Sequence, residues 1–308
     1  MTTSTIAAKI RIGARGSPLA LAQAREVRAL LAAAHENLAA DEAVEIIVIK
    51  TTGDRLLDRT LADVGGKGLF TKEIDEALLD DRIDIAVHSM KDVPTELPAG
   101  IVLPCMPERE DTRDVLIADV ATIAALPRRA LVGTASLRRG AQLKHRRPDL
   151  EIAVLRGNVQ TRLKKVAAGE VAATLLALAG LKRLGLEDVG TPIDPEDMLP
   201  AVGQGAIGIA WRDGDRAAGD FLSPLNHPQT VIRVGAERAF LRVLDGSCRT
   251  PIAAEAVIDG ETISFRGLIA RPDGSQLFET SRHGPVAQAE EMARDAGEEL
   301  RASAGPGF

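Results

Sequence analysis

Strand-like runs alternate with helical stretches along most of this chain, and the alternation happens twice. Lys9 to Ala14, Val44 to Thr51 and Ile83 to His88 are apolar or β-branched and read as strands. A helix is expected to begin near Ser17, whose hydroxyl can cap it. Pro18 then takes a position where the missing N–H is harmless. A second helix is expected over about Thr71 to Asp81. The polar, proline-bearing stretch Pro104 to Asp114 reads as a linker, after which the rhythm restarts. Val115 to Ala118, Leu131 to Thr134, Ile152 to Leu155 and Ala172 to Leu176 read as strands, with helices from about Leu137 and Val159. A second linker spans Thr191 to Pro200. This order implies right-handed crossovers and mainly parallel sheets. Two such units joined by two crossings are expected to leave a ligand cleft where strand carboxyl ends meet helix N-termini.

The last part has a different pattern. A helix is expected over about Val231 to Leu244. Two Asp-Gly pairs follow, Asp259–Gly260 and Asp273–Gly274, each between strand-like runs, which is a hairpin signature. An amphipathic helix from about Val286 to Ala302 closes the pattern, and together these make a small α+β domain.

With 308 residues the chain suits two or three domains rather than one core. A hydrophobic share of 45% and a charged share of 27% are those of a globular protein. Aromatics are scarce at 2%, with one Trp and no Tyr, so stacking platforms for single-stranded nucleic acid are largely missing. The formal net charge of -6 argues against a nucleic-acid or anionic-membrane surface. Arginine is nonetheless concentrated between Arg128 and Arg183, which points to small anionic ligands. Cys105 and Cys248 lie far apart and form no C-x-x-C pair, so neither a disulfide framework nor a thiolate metal cluster is expected. The first residues lack a long apolar stretch, and a cytoplasmic location is expected.

The segment AVHSMKDVP, Ala86 to Pro94, runs from a buried strand into His88, Ser89, Lys91 and Asp92. Polar groups at the carboxyl end of a strand are where α/β proteins keep their sites. His88 reads as a structural histidine, since no second ligand stands at metal-binding spacing. Arg15, Arg138, Arg139, Arg156, Arg162 and Arg183 fall mostly at strand ends or in first helical turns. Guanidinium forks, free backbone N–H groups and helix dipoles combine there to receive carboxylates or phosphates. Arg146 and Arg147 read as exposed helix arginines. VGQGAIG, Val202 to Gly208, matches G-x-G-x-x-G literally, but it follows a linker and precedes a strand, so it is a weak dinucleotide motif. GGKG, Gly65 to Gly68, lacks the phosphate-loop spacing and reads as a loop carrying Lys67 and Phe70 near the cleft. Cys248 sits in LDGSCRTP beside Arg249, a setting that can lower a thiol pKa, whereas Cys105 reads as an apolar filler.

Taken in order, these stretches resemble the porphobilinogen deaminase (hydroxymethylbilane synthase) family. The resemblance is carried by ARGSPLALAQA from Ala14, VGGKGLFTKEID from Val64, DIAVHSMKDVPTELP from Asp84 and EREDTRDVLI from Glu108. It continues through GTASLRRGAQL from Gly133, RRPDLEIAVLRGNVQTRL from Arg146, LALAGLKRLGL from Leu176, LPAVGQGAIGI from Leu199 and DGSCRTPIAA from Asp245. The chain departs from the family pattern at Asp63, where a basic residue is expected, and after Cys248.

The resemblance implies two periplasmic-binding-protein-like α/β domains and a small α+β C-terminal domain with a three-stranded antiparallel sheet. Their expected extents are 1–106 with 207–225, then 107–206, then 226–308. It implies a dipyrromethane cofactor held by a thioether to Cys248, onto which four porphobilinogen units are condensed with loss of ammonia before hydroxymethylbilane is released. Porphobilinogen brings an acetate and a propionate, which the six arginines can pair, helped by Ser17, Ser89, Thr134, Ser136 and helix N–H groups. Lys67, Lys91 and Asn158 join this binding set by resemblance. Asp92 is expected to stabilise the cation formed on deamination. The family also implies a monomer that hands its product to uroporphyrinogen III synthase, with no nucleic acid, membrane or metal involved. The rival reading is a non-catalytic two-lobed anion-binding protein, which explains the arginines but neither Asp92 nor the third domain.

Overall fold

The computed structural model describes residues 9–40, 42–55, 70–244 and 250–305. In chain order these form β1 (Ile10–Arg15), α1 (Pro18–Ala34), β2 (Val44–Ile49), α2 (Thr52–Arg55), α3 (Lys72–Leu79), β3 (Ile85–Ser89) and β4 (Ile101–Cys105). Next come β5 (Asp114–Ala118), β6 (Leu131–Gly133), α4 (Leu137–Arg146), β7 (Glu151–Ala153), α5 (Val159–Ala167), β8 (Ala173–Ala177), α6 (Leu178–Arg183) and β9 (Thr191–Pro192). The chain continues with β10 (Ile207–Arg212), α7 (Arg216–Leu222), α8 (Pro228–Val243), β11 (Ile252–Asp259), β12 (Thr262–Ala270), β13 (Leu277–Pro285) and α9 (Ala289–Ala304). The described residues group into two compact units, one of 9–40, 42–55, 70–109 and 206–231 and the other of 110–205, 232–244 and 250–305.

The first unit holds a sheet in the order β2-β1-β3-β10-β4. Side chains alternate across it with the period of two that a strand dictates. Ile85 and Val87 of β3, with Ile207 and Ile209 of β10, meet Ala24, Val27 and Leu31 of α1 on one face. Ala86 and Ala210 turn to the other face and meet Ile74, Ala77 and Leu78 of α3. Ser17 starts α1 as expected, its Oγ accepting from the Ala20 N–H with Pro18 in the first helical position.

The second unit holds two sheets. Its α/β sheet runs β7-β6-β8-β5-β9, with Leu116, Val132, Leu143 and Leu175 packed on one side. Val115, Ile117, Leu176 and Leu181 form a separate cluster. The other sheet is the antiparallel β11-β12-β13, covered by α8 and α9 through Ala236, Phe240, Ala293, Ala296 and Leu300. The Asp-Gly pairs do form hairpins, with Gly260 and Gly274 at φ 58 and 74, the left-handed region that glycine enters freely. Ala141 of α4 and Leu199 pack with Ala253, Leu268 and Ala270, so the antiparallel sheet shares a core with the arginine-bearing helix.

Two α/β sheets and a three-stranded antiparallel sheet are the architecture expected from sequence, but the α/β sheets are mixed rather than mainly parallel. β10 runs antiparallel to β3 and β4, and β5 antiparallel to β8 and β9. Each of these strands follows a linker instead of a crossover helix, so the handed connection that enforces parallel pairing is absent. Strand β4 lies partly in the stretch read as linker. Among the described residues no helix is long and apolar enough to cross a membrane.

Candidate active site

In the first unit the carboxyl ends of β1 and β3 open into a recess. Strand β3 ends at Ser89 and tightens into a 3-10 turn, Met90–Asp92. The buried Met90 anchors the turn, its N–H donating to the Ala206 carbonyl at 3.0 Å. Asp92 follows and lines the recess together with Arg15, Ser17 and Ser89. The Arg15 guanidinium lies over the Phe70 ring, 4.2 Å from its centroid, a cation–π contact that holds the cation at the wall. The buried Gln23 donates from Nε2 to Ser89 Oγ at 2.9 Å and so orients that hydroxyl. Burial, reinforced by the Arg15 charge, pushes His88 down to about 4. His88 therefore lines the recess as a neutral imidazole at pH 7, in keeping with its reading as structural. Lys91 is half-buried next to Asp92 in the same turn.

In the second unit α4 and α5 present arginines at their N-terminal ends. Ser136 caps α4 by accepting the Arg139 N–H at 3.4 Å, and Thr134 Oγ1 accepts the Ser136 N–H at 3.1 Å. Asn158 caps α5 by accepting from the N–H and hydroxyl of Thr161, each at 2.9 Å. Gly157 precedes that cap at φ 117, where a Cβ would stand 2.8 Å from Thr161. Arg162 donates from Nε to the Gly157 carbonyl at 3.0 Å. Burial, with repulsion from Arg139 and Arg156, lowers Arg162 to about 10. A substantially buried guanidinium repelled by two others favours an anion beside it.

Arg138 and Arg139 are more committed internally than the sequence suggested. Both are buried, and both donate to Asp114, a fully buried carboxylate that sequence reasoning did not single out. The sequence signal for it was an acid opening the apolar strand DVLIA, a position that requires a partner. Arg183 also departs from expectation. It is the last residue of α6, not in a first turn, and its Nη2 donates to the Gly205 carbonyl at 3.1 Å. Arg147, read as exposed, instead pairs with Asp149 and donates to the carbonyls of Ile123, Ala124 and Leu126. The Gly-rich VGQGAIG serves close packing: a Cβ on Gly205 would meet the Glu110 carbonyl at 2.4 Å, and one on Gly208 the Met90 sulfur at 2.2 Å. Cys105 is the expected filler, buried with its thiol pushed up to about 12 by burial. Lys67, Cys248 and the departure at Asp63 lie outside the described residues.

Residues 10–220 match the porphobilinogen deaminase dipyrromethane cofactor binding domain, and residues 231–302 match the porphobilinogen deaminase C-terminal domain. The chain belongs to the porphobilinogen deaminase family. A chloroplastic porphobilinogen deaminase from Oryza sativa subsp. japonica is 60% identical over 97% of this chain and 85% of its own length. One from Pisum sativum, also chloroplastic, is 57% identical over 98% of this chain and 83% of its own length. The porphobilinogen deaminase of Paracoccus denitrificans is 54% identical over 97% of this chain and 96% of its own length. Among solved structures, a TRAP periplasmic solute binding protein from Desulfovibrio salexigens is similar at a TM-score of 0.42, with 10% identity over 73% of this chain and 74% of that one.

The family's activity is that of a transferase that makes hydroxymethylbilane from porphobilinogen in tetrapyrrole synthesis, and it is this chain's activity. The non-catalytic anion-binding alternative is not favoured, because the match extends through the C-terminal domain. The residues fit the dipyrromethane of the matched domain. Its carboxylates would suit Arg162, which Arg139 and Arg156 repel. Its pyrrole N–H groups would find an acceptor in a group such as Gln160 Oε1, which is buried without a hydrogen-bond partner among the described residues.

Proposed function

We propose that Asp92 is the catalytic residue of this transferase and that Cys248 is its cofactor anchor. The observation that carries the reading is a carboxylate and a ring-stacked guanidinium sharing one recess at a strand's carboxyl end, Asp92 with Arg15. When bound, dipyrromethane would supply the free pyrrole carbon from which the chain of porphobilinogen units starts. Asp92 holds a proton at the pyrrole nitrogen and stabilises the positive charge that develops as ammonia leaves. Arg15, Ser17 and Ser89 bind acetate or propionate oxygens from the recess wall, with Lys67 and Lys91 as further cations. In the second unit Arg156 and Arg162 bind carboxylates, assisted by Thr134, Ser136, Asn158, Arg138, Arg139 and Arg183. The three-part division into 1–106 with 207–225, 107–206 and 226–308 belongs to this reading. So do a monomeric state, a cytoplasmic site of action and transient contact with uroporphyrinogen III synthase.

Intact-mass measurement tests the anchor. The purified chain is expected to exceed its sequence mass by two pyrrole units, and Cys248→Ser to lack the increment. Active protein without added mass would refute the anchor.

A further inference from the structure

Asp114 opens β5 with no exposed surface, and its two oxygens accept four hydrogen bonds. Oδ2 takes Nη2 of Arg138 at 2.7 Å. Oδ1 takes Nε and Nη2 of Arg139 at 3.2 and 2.7 Å, and Nε2 of Gln204 at 2.9 Å. Burial alone would raise this carboxyl, but the charges of Arg138 and Arg139, with bonds from Arg139 and Gln204, hold it far below the usual range. It is therefore an anion at any working pH.

The two guanidiniums are each fixed by a second point. Arg138 Nη1 donates to the Leu199 carbonyl at 2.7 Å, and Arg139 Nη1 to the Leu175 carbonyl at 2.9 Å. A guanidinium carries five N–H donors. The bonds of Arg139 to Asp114 and Leu175 use one each on Nε, Nη1 and Nη2, which leaves two for a ligand. Arg138 keeps its buried Nε–H without a partner. Arg139 also stands near enough to Arg162 to repel it. A surface salt bridge would be worth little, but a fully buried carboxylate shared by two arginines orients both and offsets part of their mutual repulsion.

We propose that Asp114 is a positioning residue for the acid-binding arginine cluster, aiming Arg138 and Arg139 so that their remaining N–H groups, with Arg162, receive the carboxylates of the cofactor. The proposal rests on the reading of this cluster as the carboxylate site. A role confined to neutralising buried charge lets Asp114 and one arginine be removed together with the net charge of the cluster unchanged, whereas an aiming role leaves the remaining Arg139 without its guide.

The experiment follows cofactor loading, read by intact mass as the share of chains carrying the two-pyrrole increment, alongside thermal melting. Asp114→Asn is expected to lower loading at least tenfold, and Asp114→Glu, which keeps the charge, to recover part of it. Because Asp114→Asn leaves two buried cations and can fail to fold, Arg138→Met is compared with and without Asp114→Asn. The double variant, with one unpaired buried cation instead of two, is expected to melt above Asp114→Asn and still to load several-fold less than Arg138→Met alone. Equal loading in those two variants, or full loading of Asp114→Asn, overturns the proposal. A wild-type chain without pyrrole mass overturns the carboxylate-site reading and this proposal together, whereas a loaded wild type beside an equally loaded Asp114→Asn overturns this proposal alone.

Discussion

Asp92 owes its place to a short chain of local causes: a buried strand, a buried Met90 and a 3-10 turn that leaves the carboxylate in a recess with Arg15 and Ser89. Asp92→Asn preserves size and removes the charge, so the fold and the attached cofactor should survive. Turnover should fall by about 10²–10³-fold, the usual loss when one preorganised electrostatic partner is removed. Single-turnover kinetics on folded, cofactor-bearing protein checks this, and near-normal turnover would end the role assigned to Asp92. This position was legible in the sequence because charged residues directly after an apolar run mark a strand's carboxyl end. Asp114 stood out only as an acid opening an apolar run, and its partners were not legible. Its partners Arg138, Arg139 and Gln204 are brought to it by α4 and by the turn before β10, and nothing in the spacing of those residues announces a shared carboxylate.

Among elements, turns and caps were the easiest to read, because their chemistry is local. Ser17, Ser136 and Asn158 cap the helices expected to start beside them. Strand direction was harder, since it depends on where a linker returns the chain, as β5 and β10 show. The two hairpin glycines differ in a way that only packing reveals. A Cβ on Gly260 would enter open space, whereas one on Gly274 would stand 2.6 Å from Lys144 Cβ and 2.7 Å from the Ala141 carbonyl of α4. His145 Nδ1 lies 3.1 Å from the Gly274 carbonyl, a second tie between turn and helix. Gly260→Ala should therefore lose only the left-handed backbone preference, about 1–2 kcal/mol. Gly274→Ala should lose that and a further overpacking cost of about 1–3 kcal/mol. Urea unfolding of the two variants compares them, and equal losses would mean that the turn does not bear on α4 in solution.

At the scale of the whole molecule, the second unit places an α/β sheet and an antiparallel sheet around common supports. Leu199 and Ala141 pack with Ala253, Leu268 and Ala270. Glu237 of α8, fully buried, accepts the Gly203 N–H at 2.7 Å and the Ala256 N–H at 3.0 Å, tying the turn before β10 to β11. Thr112 and Glu255 hydrogen-bond between the segment leading into β5 and β11. Removing either sheet would strand a buried carboxylate or bare an apolar face, and both outcomes are costly. The two sheets should therefore open as one cooperative unit even though sequence divides them into separate domains. Hydrogen exchange at increasing urea measures this directly: amides of β5 and β8 should merge with those of β11 and β12 into a single opening step. If the antiparallel strands exchanged at lower urea while β5 and β8 stayed protected, the shared core would be too weak to couple them. Support for the arginine helix would then have to come from the α/β sheet alone.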